Sequence, residues 1–340
     1  MYLGGVAAWL PPAVSVAEAV ATRDYDADEQ AGNEYVSITV ANGEAPPEMA
    51  VRAARTALRR SGVAPGDVAL LLHTSAWFQG VDFWGAASYV HREVLDGGRH
   101  APALDVAQMS NGSLGAVELA ASYLAATPSR RAALVTTADR FARPGFDRWR
   151  SDGRGIVYGD GAAAAVLTRA GGFARLRAVA TVVDTRLEPI YRGDEPFGLV
   201  SGHAGRPVDI RERRRAFMEA TTGRQDVVEW INAGLTEAVG QALDESETQL
   251  GDIARFVFPN IGLSALQRYL ELLGVSLADT TWERGRRIGH VGGADQLIGL
   301  AHLVEGGHVG PGERVMLVGI GAGFSWSCAV VEMLDRPTWT

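Results

Sequence analysis

Short apolar runs bounded by glycine or polar clusters recur along the chain, at Val68 to Leu72, Ala133 to Thr137, Ala163 to Leu167, Phe256 to Phe258 and Val315 to Val318. Runs of this length with no polar alternation are strands buried on both faces. Between them the period changes. Met49, Ala50, Ala53, Ala54 and Leu58 fall on one helical face, and Leu114, Val117, Ala121 and Leu124 repeat that spacing, so both segments are predicted helices. Strands alternating with helices give an α/β architecture with buried sheets. The break Arg169-Ala170-Gly171-Gly172 divides the chain near its middle with a similar succession on either side, which predicts two related halves, 1–170 and 171–340. The segment from Tyr191 to Arg224, with scattered charge and the run RERRRAF, fits neither half and reads as an insertion or cap loop.

A chain of 340 residues with 47% apolar composition can bury one large core or two ordinary ones. Its formal charge of −8 argues against the basic surface that nucleic acid requires. One cysteine, Cys328, leaves no pair for an intramolecular disulfide or a thiolate zinc site, so the cytoplasm is the expected compartment and Cys328 reads as a core residue. The first twenty residues carry a short apolar run interrupted by Pro11 and Pro12 with no basic start, which does not read as a signal peptide. No apolar stretch reaches membrane-spanning length free of charges or glycine clusters. All 32 basic residues are arginine, a bias given no mechanistic weight.

The stretch Asp105 to Gly115, DVAQMSNGSLG, sets Ser110 between a strand-like run and a helix. By residue type alone Ser110 is a helix cap as readily as a nucleophile. Tyr158-Gly159-Asp160-Gly161 precedes an alanine-rich strand, and Gly319-Ile320-Gly321-Ala322-Gly323 follows the strand at Val315 to Val318. Both put pliable backbone beside a buried sheet, as a turn that aims N–H groups at a reactive centre would. A phosphate loop is the alternative reading of the second cluster, but no long helix with an acidic ribose ligand follows it. Asp160 reads as fixing a turn. Trp77, Phe78, Phe83 and Trp84 read as core or dimer interface, with the wall of a wide acyl site as the sharper alternative.

Taken in order, these segments resemble the ketoacyl-ACP synthase III family of the thiolase superfamily over nearly the whole chain. DVAQMSNGSLGAVELA is similar to the family's Asp-x-x-x-x-Cys-x-Gly elbow, YGDGAAAAVL to its FGDGAGAAVL strand, and GIGAGFSWSCAVV to its C-terminal GFGGGxTWG segment. EMAVRAARTALRRSGV resembles its early helix. The resemblance implies a thiolase-like fold, duplicated and five-layered (αβαβα), in a homodimer whose partner helps shape the acyl pocket. It also implies a nucleophile, a histidine and an asparagine, and here the chain departs. Ser110 stands in the cysteine position, Asn260 in Pro259-Asn260-Ile261-Gly262 stands where the histidine is expected, and His290 in Gly289-His290-Val291-Gly292 stands where the asparagine is expected. If Ser110 had replaced a natural cysteine, this exchange of histidine and asparagine would still stand.

A serine hydroxyl is a poor nucleophile until a base takes its proton, so Ser110 needs a histidine, and His290 supplies an imidazole that can take it. Asn260 is expected to orient that ring or to bind substrate. The backbone N–H groups of Ser110 and, by the family match, Ala322 would form the oxyanion hole. A rearranged histidine and asparagine pair suits acyl transfer better than decarboxylative condensation. The chain thus resembles the synthase-III-like acyltransferases of polyketide and antibiotic pathways, in which histidine also occupies the asparagine position. That resemblance implies transfer of an acyl group, including an aromatic one, to a sugar, aminocyclitol or carrier acceptor. The donor is an acyl carrier protein or CoA thioester, and no bound cofactor or metal is expected. The family's CoA-gripping tryptophan and arginine have no counterpart in Thr22 to Thr39, which points to the carrier protein. Arg211, Arg213, Arg214, Arg215 or Arg268 could meet an acidic carrier, with solvated surface as the alternative. Two other functions fit the residues: a starter-unit decarboxylating ketosynthase with a serine nucleophile, and an inactive synthase-like scaffold subunit.

Overall fold

The computed structural model describes all residues except 96–100, 154, 199–206, 222–223 and 340. Its strands are β1 (Tyr2–Trp9), β2 (Ala13–Ser15), β3 (Ser37–Thr39), β4 (Val68–Thr74), β5 (Ala103–Val106), β6 (Ala132–Asp139), β7 (Gly161–Thr168), β8 (Ala174–Val183), β9 (Ile253–Val257), β10 (Arg314–Gly321) and β11 (Ser325–Met333). The helices are α1 (Val16–Ala21), α2 (Ala27–Asn33), α3 (Pro46–Ser61), α4 (Ala86–Val94), α5 (Gly112–Ala125), α6 (Pro189–Arg192), α7 (Ile210–Ala220), α8 (Arg224–Glu245), α9 (Leu263–Leu273), α10 (Trp282–Gly285) and α11 (Asp295–Glu305). Each apolar run singled out above lies in or overlaps a strand, and both predicted helices form. The run RERRRAF lies in α7, a helix where a loop was expected; the segment around it is in part outside the described residues.

Nine strands form one sheet in the order β5-β4-β6-β7-β1-β8-β11-β10-β9. The order repeats. From β4 through β6 and β7 to β1 the pairings run parallel, antiparallel, antiparallel, and from β9 through β10 and β11 to β8 they run the same way. The counterpart of β5 is reduced to an isolated parallel bridge between Phe256 and Thr280. Only Tyr2–Arg175 and Leu3–Ala174 pair across the junction of β1 and β8, so the two half-sheets are free to turn away from each other.

The space between the half-sheets is filled by α5 and α11, which touch strands of both and each other. α11 is buried nearly all round and α5 over its first two turns: Leu114, Ala116, Val117, Ala120 and Leu124 of α5 share a core with Leu297, Ile298, Leu300, Ala301 and Leu303 of α11. The one-sided face expected of α5 therefore understates its burial, because a helix between two sheets has two core faces. The outer face of the first half-sheet carries α3 and α4, and that of the second carries α8 and α9. Five layers result, and the fold is the thiolase-like αβαβα arrangement. α3 shows how local sequence sets this up: Pro46 and Pro47 open it, the Glu48 carboxylate accepts from the Ala45 N–H at 2.8 Å, and Gly62 closes it at φ 66°. The alanines of β7 present little bulk on either face, which lets α3 pack close on one side. Cys328 lies fully buried in β11.

Candidate active site

Ser110 sits in a single 3₁₀ turn, Met109–Asn111, between β5 and the start of α5. Met109 holds φ 50°, a left-handed conformation that an unbranched side chain tolerates only under constraint, and it turns the following serine out of the layer. The constraint comes from the other half of the chain. A Cβ on Gly321 would lie 2.7 Å from Asn111 Cβ and 2.8 Å from the Gln108 carbonyl oxygen, and one on Gly319 would collide with Asn111 Oδ1. Glycine is thus required at both positions so that the end of β10 can press on the serine turn. Asn111 is fully buried and donates to Ser327 Oγ at 2.8 Å and Ser325 Oγ at 3.1 Å, which ties the turn to β11.

His290 reaches the same point from the second half. Its N–H donates to the Val157 carbonyl at 2.8 Å and its own carbonyl accepts from Gly159 at 3.0 Å, a parallel bridge to the Tyr158-Gly159-Asp160 segment. A side chain at Gly159 would strike the Ile288 carbonyl, so that glycine permits the approach. Asp160 anchors the segment: buried completely, it accepts from the Ala41 and Phe141 N–H groups at 2.9 Å each and from both terminal nitrogens of Arg148 at 3.1 Å.

The imidazole Nε2 lies 2.8 Å from Ser110 Oγ, and Nδ1 lies 2.6 Å from Asp295 Oδ2. Serine, histidine and aspartate thus form a continuous relay. Asp295, the first residue of α11, is fully buried, and its carboxylate also accepts from the Val291 N–H at 2.9 Å, the Asn260 N–H at 2.7 Å and Asn260 Nδ2 at 3.1 Å. Three donors besides the imidazole meet hydrogen-bonding capacity that burial would otherwise leave empty. Because Nδ1–H faces the carboxylate, Nε2 is left to accept the serine proton.

The expected residues therefore separate. Ser110 and His290 meet directly. Asn260 donates to Asp295 through its backbone and its side-chain amide, and its described hydrogen bonds reach the imidazole only through that carboxylate. Asp295 was missed. Its signal was present in His290-Val291-Gly292-Gly293-Ala294-Asp295, where an acid opens a largely apolar helix five residues after the histidine.

Ser110 and His290 line a cavity of about 1150 Å³, and Gly321 and Ala322 at the tip of the β10–β11 hairpin line it beside them. Of the four aromatic candidates only Trp77 is in the wall. Its ring packs edge-on against Phe146 at 5.2 Å, and its N–H donates to Asp139 Oδ1 at 2.8 Å. Phe78 is 50% exposed, Trp84 42% and Phe83 fully exposed, all outside the cavity, because the chain beyond Trp77 runs outward to the surface. The wall is completed instead by Phe141, Phe146 and Tyr158, whose rings pack within 5.0 Å of one another. Tyr158 opens the Tyr158-Gly159-Asp160-Gly161 cluster noted above, but no short motif marked Phe141 or Phe146.

The fold and the relay define a thiolase-fold enzyme of the acyl-transferring ketosynthase kind. Models of the family 3-oxoacyl-[acyl-carrier-protein] synthase III match residues 104–185 and, for its C-terminal part, 243–333. A β-ketoacyl-[acyl-carrier-protein] synthase III of Thermosynechococcus vestitus is 27% identical over 83% of this chain and 82% of its own. A solved structure described as the acyltransferase ChlB3 is 37% identical, covers 100% of this chain and 99% of its own, and superposes with a TM-score of 0.92. The priming β-ketosynthase of the R1128 polyketide pathway shares the fold at 22% identity and TM-score 0.76, over 98% of this chain and 96% of its own. The chain belongs to the ketoacyl-ACP synthase III family. Among the described residues no helix is long and apolar enough to cross a membrane.

Proposed function

We propose that this protein moves an acyl group from a carrier-protein thioester, or from CoA, through an acyl-serine at Ser110 to a hydroxyl or amine acceptor such as a sugar, aminocyclitol or second carrier, in secondary metabolism. The observation that carries this is the Ser110–His290–Asp295 relay, with Asn260 turned away in the position where the family keeps its histidine. His290 Nε2 takes the proton of Ser110, Oγ attacks the thioester carbonyl, and the imidazolium returns that proton to the departing thiolate. The acceptor then gives its proton to Nε2 as it attacks the ester, and Ser110 recovers its own. Asp295 holds the ring and stabilises the imidazolium at each stage, and the backbone N–H groups of Ser110 and Ala322 are the oxyanion donors.

Residues 1–170 and 171–340 are taken as the two repeats, which the matching strand orders support. A homodimer across the outer edge of β5 is supported by Leu104, 52% exposed on that edge strand, and by exposed Trp84 close to where Asp105 accepts from the Ala87 N–H. The test is intact-protein mass spectrometry after incubation with short aliphatic and aromatic acyl thioesters on pantetheine, CoA and carrier protein. An acyl mass on the parent chain that is absent from Ser110→Ala is expected. A β-keto product with carbon dioxide release from malonyl carrier would give the function to a condensing enzyme, and no adduct from any donor would give it to a scaffold subunit.

A further inference from the structure

The cavity has two chemically different parts. Near Ser110 it is walled by the rings of Phe141, Phe146, Trp77 and Tyr158. Tyr158 leads away from that centre: its ring lies 5.2 Å from the imidazole of His290, and its hydroxyl donates to Asp152 Oδ2 at 2.8 Å. Asp152 is buried with no side-chain exposure and pairs through Oδ1 with Arg214 Nη2 at 2.7 Å. The Arg214 guanidinium also lies 6.0 Å from the Tyr191 ring, and the residue lines the cavity with a third of its side chain accessible. One phenol ring and one hydrogen bond thus separate the reacting centre from an ion pair whose cation lines the same cavity.

The pair is costly where it stands. Removing two charges from water is repaid only if their hydrogen-bonding capacity is met, and the guanidinium has five N–H donors. Asp152 is well supplied, by Tyr158, by Arg214 and by the Gly153 N–H at 2.6 Å. Arg214 is not: the hydrogen bond described for it is the one to Asp152, beside the Tyr191 ring. The neighbouring arginines on α7 are committed elsewhere, Arg213 to Glu195, Arg215 to Glu212 and Glu219, and Arg211 to Glu29.

Resting on the acyl-serine reading of Ser110, we propose that Arg214 is a specificity-determining residue, selecting acyl groups that carry a hydrogen-bond acceptor, a hydroxyl, keto or carboxylate oxygen, on the end remote from the thioester. The ring-walled part accepts a flat or unsaturated body, and Arg214 completes its donor set with the distal oxygen. An acyl group with a methyl in that place would cover the guanidinium and leave those N–H groups without partners. The discrimination expected from one such buried donor is about tenfold or more, since leaving it unpaired costs at least the energy of one decade.

The test is the rate of Ser110 acylation by matched pantetheine thioesters, hydroxybenzoyl against methylbenzoyl at each ring position and 5-oxohexanoyl against 5-methylhexanoyl, read by intact mass. We expect the oxygen-bearing member of at least one pair to acylate about tenfold faster, with the ratio falling toward one in Arg214→Met. The double variant Arg214→Met with Asp152→Asn removes both charges together and should show the same collapse should the single variant fail to fold. Equal rates within every pair in the parent protein would overturn the proposal while leaving the acyl-serine intact. A preference that survives unchanged in both variants would also overturn it. No acylation by any thioester would overturn the underlying reading of Ser110 instead, and the proposal with it.

Discussion

His290 and His73 are both buried and both hydrogen-bonded through each ring nitrogen, yet only one is placed for catalysis. His290 bridges a hydroxyl and a carboxylate. His73, on β4, bridges Thr136 Oγ1 at 2.9 Å and Gln79 Oε1 at 3.1 Å, both neutral. The difference lies in what compensates a proton. An imidazolium at position 290 would face Asp295, whose charge is already held by Asn260 and Val291, whereas at position 73 burial pushes the imidazole pKa down. Gln79 Nε2 donates to the carbonyls of Trp77 and Ala138, so His73 serves as a neutral strut fixing the Trp77 loop to β6.

The largest break of this contrast comes from removing the relay's ends. Ser110→Ala should abolish the acyl adduct, and His290→Ala should slow acylation about 10⁴-fold or more, whereas His73→Asn should slow it by less than about tenfold. Intact mass over time reads all three. A His73 variant as impaired as the His290 one would erase the distinction.

The next effect isolates the carboxylate. Asp295→Asn is nearly isosteric, but the amide cannot accept from Nδ1–H and stabilise the imidazolium as a carboxylate does, so acylation should fall by about 10³ to 10⁴. Its thermal midpoint is measured beside it, because the new amide nitrogen faces N–H donors on whichever side it lies, and an unchanged midpoint would assign the loss to the relay and not to folding. Asn260→Ala is smaller. It deletes one of two Asn260 donors to Asp295 while the backbone N–H remains, and a fall of about tenfold in acylation is expected, from one net hydrogen bond to a charged group. Rescue by Asn260→Gln is not expected, since a Cβ on Gly285 would lie 2.5 Å from Asn260 Oδ1 and the pocket has no room for a longer chain. Were Asn260→Ala as inactive as His290→Ala, Asn260 would touch the reacting atoms after all.

Much of this was written locally. Strands such as β7 and β10, with continuous apolar runs, and α3, with its prolines, acid and glycine in place, carry their signals within a few residues. Ser110 and His290 were legible through the motifs around them. Asp295 was not, because an aspartate at a helix start looks like an ordinary N-terminal acid until the fold buries it between two sheets. The aromatic wall of the cavity was legible only at Tyr158, in its glycine cluster: Phe141 and Phe146 join it through turns fixed by Asp160 and Arg148, and the more conspicuous cluster around Phe83 ends on the surface.

The smallest effect concerns His73 and tests whether it is a neutral strut. Its folded pKa lies below the free value of 6.5 because burial disfavours the charged ring. A lowered base means the unfolded chain binds the extra proton first, so the stability held by neutral His73 is fully present above about pH 6.5 and is lost as pH falls through the folded value. The slope of unfolding free energy against pH on the acid side should therefore be shallower in His73→Asn than in the parent, even if the variant is less stable at neutrality. Urea unfolding at several values between about pH 7 and 5 measures it. Identical slopes would mean that His73 binds protons equally in the folded and unfolded chain, and the distinction between the two histidines would then rest on position alone, on which of them a serine can reach.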